Sequence, residues 1–247
     1  MSKIYYIIKL KYCQEKGVFF MKITWLGQAG LLFDNGKTKI MVDPYLSDSV
    51  VKVNPLNYRR VPIDDRFFGV LPDVMIFTHD HLDHYDPETA PRFLEHSEKG
   101  MTVLCPTSVW QKARQHGGGH NYVEFNRHTE WTEHGFRFSA VKAAHSDPCA
   151  IGVLIEDLEE GKVYYVAGDT LYNTEIFEDL PEKIDLVFLP VNGVGNNMNA
   201  DDALRFAECT GAKRAVPYHI GMFDELTPEI FGAEQRLVLK IYEETEV

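Results

Sequence analysis

Apolar residues in this chain fall in short runs broken by polar and turn residues, which is the signature of strands. Lys22-Ile23-Thr24-Trp25-Leu26 and Gly30-Leu31-Leu32-Phe33 read as strands joined by the turn Gly27-Gln28-Ala29. Lys39-Ile40-Met41-Val42 is a third, ending at Asp43-Pro44. With such short connections the three are expected to be consecutive antiparallel strands of one sheet. Val74-Met75-Ile76-Phe77 is a continuous apolar run after Pro72 and reads as a buried strand. Further strands are expected over residues 101–105, 136–143, 151–156, 163–167, 184–189 and 214–217. Helices are expected over 87–96, with Asp86 as N-cap and Pro87 at the first position, and over 108–116, closed by three glycines. A third, over 200–209, is amphipathic and stops at Gly211. Residues 47–72 show no periodicity and contain three prolines, which predicts a long loop.

The 247 residues suffice for one well-buried domain, and no repeat, low-complexity tract or linker divides them. Met21-Lys22-Ile23-Thr24 opens the first strand much as a native start would. Residues 1–21 are therefore expected to be an extension or a peripheral strand, and 22–247 the domain. No apolar run approaches the roughly 20 residues that span a bilayer, and the run 4–8 is too short for a signal-peptide core. A cytoplasmic protein with no membrane partner is expected. Cys13, Cys105, Cys149 and Cys209 lie far apart and are expected to be buried reduced thiols. A net charge of −12 argues against a nucleic-acid partner, because phosphate backbones call for clustered Lys and Arg. A small molecule, anionic in character, is the expected partner, and a homo-oligomer is compatible with the composition.

The chemistry concentrates in His79-Asp80-His81-Leu82-Asp83-His84, at the C-terminal end of a predicted strand. His79 and His81, two residues apart, project the same way from an extended backbone, whereas Asp83 and His84 are adjacent and diverge. That spacing suits two neighbouring cations. His145, Asp169 and His219 also sit at ends of predicted strands. The simplest division gives His79, His81 and His145 to one ion and Asp83, His84 and His219 to the other, with Asp169 bridging. Each ion then keeps an open position, as catalysis requires. Bound divalent metals lower the pKa of water towards about 7, which would make Asp83 and Asp169 catalytic as well as ligating. Histidine and carboxylate ligands without thiolate suit Zn, Mn or Fe. His96, His116, His120, His128 and His134 are read as surface residues.

The series His79-x-His81-x-Asp83-His84, His145, Asp169 in Gly-Asp-Thr, and His219 resembles the ligand set of the metallo-β-lactamase superfamily, from about Lys22 to the C-terminus. The resemblance implies an α/β fold, a four-layer αβ/βα sandwich with a dinuclear site at one edge. It also implies that Asp43, in Val-Asp-Pro-Tyr, supports a ligand histidine from behind. Trp25 to Gly30, Gly168 to Tyr172, and Pro217-Tyr218-His219 look most like the L-ascorbate-6-phosphate lactonase branch. That implies a metal-dependent hydrolase of a small ester or lactone, such as a sugar-phosphate lactone. The alternative is a phosphodiesterase, phospholipase-D-like or nuclease-like, on the same fold. A non-catalytic protein ranks behind both. Arg59, Arg60, Tyr172 and Asn192 are the guesses for substrate contacts.

Overall fold

The computed structural model describes residues 20–95 and 99–247. Strands β1 (Lys22–Gly27), β2 (Gly30–Asp34) and β3 (Lys39–Val42) pair antiparallel in sequence order, as their short turns predict. Parallel pairing then adds β4 (Val74–Ile76), β5 (Thr102–Cys105) and β6 (Asn121–Glu124). The second sheet contains β7 (Glu130–Glu133), β8 (Phe136–Lys142), β9 (Ile151–Asp157), β10 (Lys162–Val166), β11 (Leu186–Pro190) and β12 (Arg214–Tyr218). In it β7 to β10 are antiparallel and β10 to β12 parallel. The chain returns to the first sheet with β13 (Glu244–Glu246), which pairs with β1.

Side-chain alternation sets the layers. Ile40, Val42, Val74 and Ile76 face the second sheet, in one core with Phe138, Val153 and Phe188. Met41, Met75, Phe77 and Val103 point to the opposite face. There they meet helices α1 (Ala90–Leu94) and α2 (Thr107–Ala113) through Phe93, Leu94, Val109 and Ala113. Strands buried on both faces read as continuous apolar runs, which is why β4 was legible. In β10, Tyr164 lies 5.7 Å from Phe33 of the first sheet, whereas Tyr165 lies 6.3 Å from Phe206 on helix α3 (Ala200–Thr210). The order is therefore helix, sheet, sheet, helix, and the expected four-layer α/β sandwich forms. Helix α3 has the predicted ends: the Asn199 side chain accepts from Asp202 N at 2.9 Å, and Gly211 takes φ 61°.

Several expectations need correction. The helix predicted over 87–96 begins only at Ala90, because the Asp86 carboxylate does not act as a free cap. It accepts from Glu88 N at 3.1 Å and from the hydroxyls of Ser49 and Thr89, which holds 87–89 as a turn. The loop 47–72 contains two short 3-10 turns, Ser49–Lys52 and Asp65–Gly69. Among the described cysteines only Cys105 is buried; Cys149 is half-buried and Cys209 exposed, and Cys13 lies outside the described residues. Most of the expected N-terminal extension also lies outside them. Among the described residues no helix is long and apolar enough to cross a membrane.

Candidate metal centre

One edge of the sandwich collects the chemistry, because β3, β4, β8, β10, β11 and β12 all end there. Asp43 follows β3, Thr78 to His84 follow β4, His145 follows β8, Asp169 follows β10, Asn192 follows β11 and His219 follows β12. The turn between β1 and β2 adds Gln28.

Ligand atoms of His79, His81, His145 and Asp169 lie within 4.8 Å of one another, and those of Asp83, His84 and His219 form a second such group. Asp169 Oδ1 sits between the groups, 3.1 Å from His84 Nε2 and 3.0 Å from His219 Nε2. All seven predicted ligands are thus brought together, divided as the spacing suggested. His79 Nε2 and His145 Nε2 are buried and have no hydrogen-bond partner among the described residues. Two converging, unsatisfied ring nitrogens beside a buried carboxylate are costly in a folded protein, and a cation would satisfy both at once. The residues therefore fit a metal.

Charge separates the two groups. Burial pushes His79 well below the usual imidazole range, with His84 nearby adding to the effect and Asp169 opposing it. Burial likewise lowers His145. Both are neutral at pH 7, the form that ligates. Burial would also lower His84, but Asp169, Asp43 and Asp83 outweigh it and hold His84 well above its usual value. His219 is raised in the same way, burial being outweighed chiefly by Asp169. Burial would raise Asp169, yet His219 and His84 keep it well below the carboxylate range. Asp169 is therefore ionised, and a cation in the second group would displace protons from its histidines.

Residues behind the ligands fix their orientation. Asp43 Oδ1 accepts from Thr78 N at 2.8 Å, and Asp43 Oδ2 lies 2.7 Å from His84 Nδ1. A carboxylate oxygen at that distance favours a proton on His84 Nδ1 and leaves Nε2 facing Asp169. Gln28 Nε2 donates to Asp83 Oδ2 at 2.8 Å and lies 3.2 Å from His219 Nδ1, while Gln28 O accepts from His219 N at 3.1 Å. Gln28, Asp43 and His219 all take left-handed backbone, at φ 48°, 42° and 62°. Such residues cost about 1–3 kcal/mol each and cluster where a site needs them. Gly168 also has positive φ, and a Cβ there would come within 2.9 Å of Ile151 O, so only glycine lets β10 deliver Asp169. Thr170 ties the loops together: its hydroxyl oxygen accepts from Ala144 N at 2.8 Å, and its carbonyl accepts from Met198 N at 3.0 Å.

The four guessed substrate contacts fare differently. Asn192 borders the cavity, with its Nδ2 3.1 Å from His219 Nδ1. Arg59 lies off the cavity as a clamp, donating to Val61 O at 2.8 Å, to Tyr45 O at 2.7 Å and to the Tyr242 hydroxyl. Arg60 stacks over Tyr58 at 4.5 Å. Tyr172 packs against Phe177 and Phe206 beneath α3, away from the ligands. Arg59 is thus spent on the fold, whereas Arg60 Nε and Nη1 are buried without a hydrogen-bond partner among the described residues. His116 and His120 are partly buried and partnered, by Glu95 with Tyr85 and by Leu94 O respectively, which corrects their reading as surface residues. His96 lies outside the described residues.

The reading by residue type missed Gln28, Thr78 and Asn197 as site residues. For Gln28 the signal was a polar residue beside a glycine in a turn between two buried strands.

Residues 38–220 match the family described as Beta-lactamase superfamily domain. The chain is 28% identical over 218 residues to a UPF0173 metal-dependent hydrolase of Ligilactobacillus salivarius, covering 85% of this chain and 90% of that one. Among solved structures it resembles Igni18, a metallo hydrolase of Ignicoccus hospitalis, with TM-score 0.70 and 21% identity, covering 91% of this chain and 97% of the other. It also resembles an isothiocyanate hydrolase from Delia radicum gut bacteria, with TM-score 0.71 and 20% identity, covering 92% and 99%. At these identities the two structures speak to the fold.

Proposed function

The chain belongs to the beta-lactamase superfamily, and from that premise we propose that it is a metal-dependent hydrolase of a small ester or lactone. The observation that carries the reading is the convergence of seven ligand-type side chains, with the ring nitrogens of His79 and His145 buried and unpaired, beside a small cavity. In this reading His79, His81, His145 and Asp169 would hold one divalent ion, and Asp83, His84 and His219, with Asp169 close by, a second. Zn, Mn and Fe all suit the donor set. Such ions supply an activated water at neutral pH and a Lewis acid for the carbonyl oxygen.

The chain's own groups do the rest. Asp43 keeps the His84 proton on Nδ1, so that Nε2 is free to ligate. Gln28 aims Asp83 Oδ2 by donating to it. Asp83 and Asp169 both border the cavity, and in this reading they would take up the proton of the attacking water and return it to the leaving alcohol. No nucleophilic side chain is required, so no covalent enzyme intermediate forms. Likeness to the L-ascorbate-6-phosphate lactonase branch at Trp25 to Gly30, Gly168 to Tyr172 and Pro217 to His219 supports a carbonyl substrate.

The test is a screen of Mn- or Zn-loaded protein against lactones, simple esters and a generic phosphodiester, with the active class repeated in oxygen-18 water. Lactone or ester turnover with the label in the product acid is expected. Robust phosphodiester cleavage with inert lactones and esters would overturn the reading.

A further inference from the structure

The cavity over the ligands has a volume of about 220 Å³, small beside ordinary ligand pockets. It has room for a scissile group and only a few atoms beyond it, so the rest of a substrate must lie across its mouth. Two loops frame that mouth. One contributes Val50 and Asn57 to the lining and the other Val194 to Asn197, while Phe223 completes the apolar part of the wall.

The most exposed apolar side chains of the molecule gather on these two loops. Leu56 is 79% exposed, Val53 73% and Val194 65%; the next large apolar side chain among the described residues, Tyr58, stands at 46%. Val194 itself lines the cavity. Val53 and Leu56 are held at its rim by two consecutive turns. Val53 N and Asn54 N donate to Val50 O at 3.0 and 2.9 Å, and Asn57 N donates to Asn54 O at 3.0 Å. A turn brings its ends within about 7 Å, so Val53 stands beside Val50, and Leu56 directly precedes Asn57. The second loop is fixed likewise: Asn197 N donates to Val194 O at 3.2 Å, and Asn196 Nδ2 donates to Ser146 Oγ at 2.9 Å. Single exposed apolar residues are ordinary, but the three most exposed meeting at one cavity mark a binding surface.

We infer that the substrate carries an aliphatic chain beyond its scissile group, and that this chain lies across Val53, Leu56 and Val194 while the carbonyl sits over the ligands. This rests on the hydrolase reading above and deepens it: the ester or lactone is one with an acyl or alkyl tail. The occupant is a small molecule and not a second copy of the chain. The rim is continuous with the cavity through Val50 and Val194, so a protomer seated on it would close the ligands off from their substrate. A chain on an open rim is covered on one side only. Each methylene should therefore add about twofold to affinity, against roughly fourfold for one fully buried.

The test is calorimetric titration of the Mn-loaded protein with acetate, butanoate, hexanoate and octanoate, whose carboxylate stands in for the product acid. Affinity should rise about twofold per methylene beyond butanoate, or about 16-fold at octanoate. In the triple variant Val53→Ser, Leu56→Ser, Val194→Ser that rise should fall to about threefold or less. All three side chains are exposed, so the variant should melt close to wild type. The single variants Leu56→Ser and Val194→Ser should each remove part of the rise. Equal affinity along the series, no binding of any member, or the same rise in the variants would overturn the inference. So would sedimentation of the wild type as a dimer that the triple variant breaks, since the rim would then belong to a second copy. Octanoate preference with no turnover of any ester or lactone, short or long, would refute the hydrolase reading and leave the rim's preference standing. A flat series with such turnover would do the reverse.

Discussion

Asp43 Oδ2 lies 2.7 Å from His84 Nδ1, and both side chains are fully buried. The carboxylate sets the imidazole tautomer from behind, and its other oxygen takes the Thr78 amide at the start of the ligand loop. Removing it should disturb one half of the site. Asp43→Ala is expected to weaken cation binding at the Asp83–His84–His219 group by about 10–100-fold, with a smaller effect on the His79–His81–His145 group. Metal-buffered titrations resolving two affinities would show this. Equal losses at both would place Asp43 in the fold at large and not behind His84.

Gln28 reaches across the sequence to Asp83 and His219 from a strained turn. Gln28→Leu should lower kcat by about tenfold or more, because Asp83 loses its orienting donor, and the melting temperature should move by only a few degrees. Gln28→Glu should fare worse than Leu, since it sets a second carboxylate 2.8 Å from Asp83 Oδ2. Steady-state kinetics of the three proteins at matched metal occupancy check the order. Unchanged kcat in both variants would remove Gln28 from the site.

Asp179 anchors the strand that delivers His145. It pairs with Arg127 through two contacts of 2.7 and 2.8 Å and accepts from Lys142 N at 2.8 Å. Burial would raise its pKa, but Arg127 and the Lys142 amide hold it below the usual value. A carboxylate depressed in the folded state contributes stability above its unfolded pKa, about 3.9, and loses it as pH falls through the folded value. Asp179→Asn should therefore cost about 2 kcal/mol at pH 7, and the gap to wild type should close below about pH 4. Denaturant melts of both proteins from pH 3 to 8 give the difference directly. A gap that stayed constant with pH would show that the charge is not what matters.

The legible and illegible parts of this molecule divide on physical grounds. His79 to His84, His145, Asp169 and His219 were readable because ligand-type residues stood at the ends of apolar runs, and a strand end fixes where its next side chain goes. Strands β6, β7 and β13 were not, since these polar strands carry no alternation of apolar residues. Arg59 misled because a charge in a loop gives no sign that the carbonyls of Tyr45 and Val61 will claim it.

Two ions per chain is the central claim, and metal content tests it most directly. Protein purified without chelator, supplemented with Mn or Zn and freed of excess, should carry close to two equivalents per chain by elemental analysis. The two groups of ligand atoms, joined through Asp169 Oδ1, account for that number. A firm value of one, unchanged by further supplementation, would contradict the account and leave Asp83, His84 and His219 as a hydrogen-bonded cluster.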